Sequence, residues 1–123
     1  MGERVVEIGT RRYTQVVCLD APGAGNACHI YRVLSVQRDP SEPQAVYAQV
    51  DFQNWPVKES GVNGCQNEDL IAIVIDRLQG FQGGKFSCRE NAIALTKLEE
   101  VLMWLRKGTD NRVARGVEGT HEK

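Results

Sequence analysis

The chain contains no Cys-x-x-Cys. Its four cysteines, Cys18, Cys28, Cys65 and Cys88, are widely spaced, so the pattern indicates neither a zinc knuckle nor a redox dithiol, and free thiols are the expected state in a reducing cell. No apolar run reaches the length of a membrane span, and the N-terminus is charged at Glu3 and Arg4 with no signal-peptide pattern, so a cytosolic protein is expected. Net charge is -1, which gives no global attraction to a nucleic acid polymer or an acidic membrane. There are only two histidines, and neither His29 nor His121 has a serine or cysteine pattern beside it that suggests a triad. Gly83-Gly84-Lys85 lacks the upstream glycine and trailing hydroxyl of a phosphate-binding loop and follows a helix, not a strand. Gly23-Ala24-Gly25 lacks the third glycine of a dinucleotide fingerprint. The pair Glu99-Glu100 lies on a helix, where it reads as a solvated face. These absences leave an enzyme without support: no catalytic residue, metal ligand or cofactor is assigned.

What is present is a helical hairpin. Asn67 to Leu78 reads as a first helix, with Asn67 as its cap and Glu68 and Asp69 in the first turn, where the helix dipole favours them. Leu70, Ile71, Val74, Ile75, Leu78 and Phe81 recur at helical spacing, and Ile73 falls off that stripe, so a cover on more than one side is expected. Gln79 to Phe86 reads as the turn, and Ser87 with Glu90 fits a capping box for a second helix through Leu95, Leu98, Leu102 and Leu105. Upstream, Arg4–Ile8, Arg12–Cys18, Cys28–Val36 and Ala45–Phe52 read as strands, the last two as an antiparallel hairpin around Arg38-Asp39-Pro40. The expected fold is α+β: an N-terminal antiparallel β-sheet packed with a C-terminal two-helix hairpin. One domain over residues 1–123 is expected, with a sheet portion over 1–56, a hairpin over 67–107 and a tail over 108–123.

The residue types that remain suit phosphates and bases. Arg32, Arg89, Arg106, Lys107, Arg112 and Arg115 are candidate phosphate partners, since guanidinium forks match phosphate oxygens. Arg32 sits on a strand face with Ile30, Leu34 and Val36. It is either an edge arginine with its stem on apolar surface or a half-buried cation awaiting an anion. Residues 106–123 carry a net +2 and the rest -3, which places cations after a helix end. Trp55, Phe81, Phe86 and Trp104 are candidate stacking surfaces, with Trp104 expected to be mainly packing. A base stacked on a ring gains about 1–3 kcal/mol. Gln53 to Gly64 is a long loop rich in hydrogen-bonding side chains, read either as a packed connector or as a functional loop.

Four stretches then carry a likeness. Phe52-Gln53-Asn54-x-Pro56-Val57-Lys58-Glu59-x-Gly61-Val62-Asn63-Gly64, Asn67-Glu68-Asp69-Leu70, Cys88-Arg89-Glu90-Asn91-Ala92 through Glu99-Glu100, and Arg115-Gly116-Val117-Glu118-Gly119-Thr120-His121 resemble the phage-encoded Thoeris anti-defence family, first type. The helical hairpin also resembles the phage anti-CBASS cyclic-nucleotide sponge. The resemblance implies a sponge in the cytoplasm of the infected host. It would bind glycocyclic ADP-ribose made by bacterial TIR-domain proteins and hold it intact. It also implies self-assembly as a dimer or a hexamer, with cyclic di- and trinucleotides taken at a separate site. By the same resemblance Phe81 and Asn91 match positions that contact base and ribose, and Arg32 matches a phosphate-binding arginine. Where the family usually reads Lys-Arg-Thr this chain has Lys107-Gly108-Thr109, so Lys107, Arg112 or Arg115 would compensate. Trp55 stands where a glycine is usual, and Lys58 and Asn63 are the candidates for the second site. The expected pocket lies between the sheet edge and the hairpin, near a subunit interface. The alternatives are a sponge mainly for cyclic oligonucleotides and a nucleotide hydrolase.

Overall fold

A computed structural model describes residues 3–9 and 11–116. The fold is α+β, with a four-stranded antiparallel sheet followed by a helical hairpin. Two compact units divide the chain, Met1–Cys65 and Gln66–Lys123.

In the first unit, β1 (Arg4–Val5), β2 (Thr14–Cys18), β3 (Ile30–Ser35) and β4 (Val46–Asp51) lie side by side in sequence order. The register opposes Val17 to Arg32 and Arg32 to Gln49, so these three share a face with Leu34, while Cys18, Tyr31 and Val50 share the other. The ladder shifts between Val33 and Leu34, where Tyr47 of β4 has no opposite number and re-aims the strand. Among the described residues, Val17, Cys18 and Leu34 are the buried apolar ones. Tyr31 and Phe52 pack edge to face at 5.8 Å.

The β2–β3 connection is tied by Asp20. Its Oδ1 accepts from the backbone amides of His29 and Ile30, each at 3.1 Å, and its Oδ2 from the His29 amide at 3.0 Å. Burial pushes the Asp20 carboxyl up. The amides of Ile30 and His29, with the Cys18 thiol and the His29 ring, outweigh it and hold the carboxyl below its ordinary value. A lowered pKa in the folded state stabilises that state above the unfolded pKa, and the contribution is lost as pH falls through the folded one. Asp20→Ala should therefore cost about 1–3 kcal/mol in denaturant unfolding at neutral pH, because it orphans two half-buried amides. Against the parent chain, the penalty should shrink as the solution is acidified below the ordinary carboxylate range.

After β4 the chain is clamped by a parallel bridge between Phe52 and Cys65. Between them lie a single turn, α1 (Val57–Ser60), and a loop zipped by its own side chains. Asn63 Oδ1 accepts from the Asn54 amide at 2.8 Å, Asn63 Nδ2 donates to the Asn54 carbonyl at 2.6 Å, and Gln53 Nε2 donates to the carbonyls of Trp55 and Gly61. Trp55 has φ 69°, the left-handed region that favours glycine.

In the second unit, α2 (Asn67–Gln82) and α3 (Arg89–Ala114) pack as a hairpin. Both run longer than the sequence pattern predicts. Gln79–Gln82, expected in the turn, continues α2, and the stretch from residue 108, expected as tail, is helical to Ala114. Gly80 and Gly108 each cost a helix about 1 kcal/mol, too little to end one. Thr109 also donates from Oγ1 to the Leu105 carbonyl and accepts from Arg112. The caps differ by one residue at each start. Gln66, not Asn67, precedes α2, with its amide donating to Asp69 Oδ2 at 2.8 Å, and Cys88, not Ser87, caps α3 by accepting from the Asn91 amide on Sγ. Leu95, Leu98, Leu102 and Leu105 lie half-buried on one face, as their spacing predicts, and neither helix has a fully buried residue. Among the described residues, no helix is long and apolar enough to cross a membrane.

Candidate functional site

The two ends of the hairpin carry different chemistry. At the turn, Gln82 ties α2 to α3: its Nε2 donates to the Cys88 carbonyl at 3.1 Å, and its Oε1 accepts from the Cys88 amide at 3.0 Å. This fixes Phe81 and Phe86 edge to face, with ring centres 6.5 Å apart. The Arg77 guanidinium stands 5.1 Å from the Phe81 ring centre, and Lys85 Nζ stands 5.8 Å from that of Phe86. Phe86 is 68% exposed, which leaves ring surface open to a stacking partner. Asn91, in the first turn of α3, continues the face that carries the leucines. Rings, an amide and cations thus meet at one end.

The expected cations stand elsewhere. Lys107 follows Asn91 by sixteen residues on one helix, which at 1.5 Å per residue separates them by about 24 Å. Arg112 and Arg115 lie about 32 Å and 36 Å from Asn91 by the same measure. Within one hairpin, then, Phe81 and Asn91 lie toward the turn, while Lys107, Arg112 and Arg115 lie along the far part of α3 and just beyond its end, with Lys107 and Arg112 on different faces. A dinucleotide-sized ligand cannot span that gap.

The far end has a groove of about 520 Å³. Ile75, Leu102 and Met103 give it an apolar floor, and Arg106, Lys107, Glu99 and Asp110 rim it. Two cations face two carboxylates there, so this groove by itself has no net pull on an anion. Lys107 Nζ lies 5.1 Å from the Trp104 ring centre. Trp104, expected as packing, is 59% exposed and offers a second ring surface beside the cations.

Arg32 belongs to the sheet unit. β3 is flanked by β2 and β4, so Arg32 is half-buried on an inner strand and not at an edge; its Nε donates to Gln49 Oε1 at 2.7 Å, and its other guanidinium nitrogens keep their donors for a further acceptor. Lys58 is exposed on α1. Asn63 spends its amide on Asn54, as described above, and retains one donor and one lone pair. Of the resemblance motif at the C-terminus, Val117 to His121 lie outside the described residues.

The sequence reading passed over Arg77 and Lys85. The signal for Arg77 was available, since Arg77 and Phe81 are four apart on a helix and so neighbours on its surface. Lys85 follows from the turn geometry alone.

Residues 44–110, more than half of the chain, match the family model described as Acb2/Tad1, hairpin domain. A curated protein called Thoeris anti-defense 1, from Bacillus phage SBSphiJ7, is 67% identical over 76 residues, which cover 62% of this chain and 54% of that protein. The match thus spans about half the length of that relative.

Proposed function

We propose, on the premise that the chain belongs to the Acb2/Tad1 hairpin-domain family, that it is a phage anti-Thoeris protein acting inside the infected host as a stoichiometric sponge. The ligand is glycocyclic ADP-ribose, bound and held without cleavage, so that the signal never reaches its effector. The observation that carries this reading is that the matched region contains Phe81, Asn91 and Lys107, a stacking ring, a directional amide and a cation. These groups bind; they do not supply a nucleophile with its base.

In this reading one site takes its halves from two copies. The adenine stacks at the turn of one hairpin, and Lys107, Arg112 and Arg115 of a second, antiparallel hairpin meet the phosphates. The gap of about 24 Å within one chain calls for this arrangement, and so does apolar surface. Ile73, Met103 and Trp104 are each more than half exposed on a hairpin that buries no residue fully. In the sheet unit, Arg32 remains a candidate phosphate-binding arginine, and Lys58 and Asn63 remain the candidates for a second site that takes cyclic di- and trinucleotides.

Calorimetric titration tests the reading. Glycocyclic ADP-ribose should bind, with affinity near or below about 10 nM if two stacks and two phosphate contacts form, equivalent to about -11 kcal/mol. A chain that binds a cyclic trinucleotide and ignores glycocyclic ADP-ribose would be a sponge of the anti-CBASS kind instead.

A further inference from the structure

The β2–β3 pairing assembles a donor set that the sequence spacing hides. Cys18 closes β2, Asp20 follows it, and Cys28 stands just before β3, ten residues from Cys18. The two Sγ atoms and one carboxylate oxygen, a single ligand atom from each residue, lie within 4.8 Å of one another. Among the described residues, this is the group of three or more such side chains with metal-ligand spacing.

We propose that Cys18, Asp20 and Cys28 ligate a thiophilic divalent cation of the zinc class. Zinc–sulfur bonds of about 2.3 Å and zinc–oxygen bonds of about 2.0 Å place sulfur and oxygen about 3.5 Å apart across a tetrahedron. Cys18 Sγ and Asp20 Oδ1 are 3.6 Å apart. The Asp20 carboxylate is already aimed, since the amides of His29 and Ile30 hold it, as a ligating carboxylate needs. His29 Nδ1, 3.6 Å from Asp20 Oδ2, braces the carboxylate from behind and is not one of the three clustered donors, so the fourth place is left to a water.

Charge completes the set. Two thiolates and a carboxylate around a divalent ion leave a single negative charge. The Arg4 guanidinium lies 3.9 Å from Cys28 Sγ, where it balances that charge and donates to the ligating sulfur. Cys18 is 1% exposed and Cys28 is half-buried, so the ion is shielded on one side and reachable on the other. Its effect is to fix the connection between β2 and β3. Binding releases the thiol protons, including that of Cys18, which now points to the Asp20 carbonyl at 3.3 Å.

The test uses the full chain, reduced with a phosphine, stripped with chelator and titrated with Co²⁺ alone. About one equivalent should produce a thiolate-to-cobalt charge-transfer band and the visible bands of a tetrahedral ion, both abolished by Zn²⁺. Cys28→Ser, a half-buried position, should fold as the parent does by circular dichroism and lose about half of the charge-transfer intensity. Arg4→Gln should weaken Co²⁺ binding by about 10–100-fold while keeping the band. Cys65→Ser and Cys88→Ser should leave the spectrum unchanged. A folded, reduced chain that gives no charge-transfer band, or a band untouched by Cys28→Ser, overturns the proposal.

Discussion

Co-expressed with a Lys107→Ala/Arg115→Ala chain, a Phe81→Ala/Asn91→Ala chain should recover tight glycocyclic ADP-ribose binding that neither variant shows alone. The reasoning is geometric. Loss of the Phe81 stack costs about 1–3 kcal/mol, and loss of a hydrogen bond to a charged group costs about 1.5–3 kcal/mol. The Lys107→Ala/Arg115→Ala chain, which loses two bonds to charged oxygens, should therefore bind at least about a hundredfold more weakly, and the Phe81→Ala/Asn91→Ala chain at least about tenfold, since every 1.4 kcal/mol is tenfold. If one site draws its turn end from one hairpin and its far end from another, a mixed pair contains one site with both halves intact. Random assortment into pairs then restores about a quarter of all sites at parental affinity. The measurement is the number of tight sites per chain by calorimetry. Unimpaired binding by Lys107→Ala/Arg115→Ala would instead hand the phosphates to the cations at the turn, Arg77 and Lys85, and the site would belong to a single hairpin end.

Gly64→Ala should unfold the first unit or cost about 3 kcal/mol, the upper part of the range for overpacking. A Cβ on Gly64 would stand 2.5 Å from the Phe52 carbonyl carbon and 2.6 Å from the oxygens of Asp51 and Phe52. All three are backbone atoms of the bridge that closes the 53–64 loop, so no side-chain rotation relieves the clash. Gly61→Ala is the informative contrast. Its Cβ meets nothing within 4 Å, but its φ of 70° strains any other residue, so a smaller loss, of about 1–2 kcal/mol, is expected. Denaturant midpoints for the two variants separate a clash from a backbone preference.

How far the fold was legible depends on the kind of signal. The third and fourth strands and the leucine face of α3 followed from period, because alternation and a 3.6-residue repeat are local, whereas the first strand, expected over residues 4–8, pairs only over Arg4–Val5. The helix ends did not, for a physical reason: Gly80 and Gly108 look like punctuation, yet packing against the opposite helix outweighs about 1 kcal/mol of propensity. The Cys88 cap escaped because a thiol is a weak acceptor and stands outside the usual capping set. The candidate ligand residues were chosen by residue type, and type carries no information on distance, whereas the rise of a single helix puts Asn91 and Lys107 about 24 Å apart. Cys18 and Cys28 were set aside on spacing, and a strand pairing that no local pattern announces brought them together.

The most direct measurement is to load the protein with glycocyclic ADP-ribose, remove free ligand, denature by heat and chromatograph the supernatant. Sequestration returns the compound chemically unchanged, in proportion to the protein loaded and independent of incubation time. A linear ADP-ribose product that accumulates with time under excess ligand would contradict it and make the protein an enzyme.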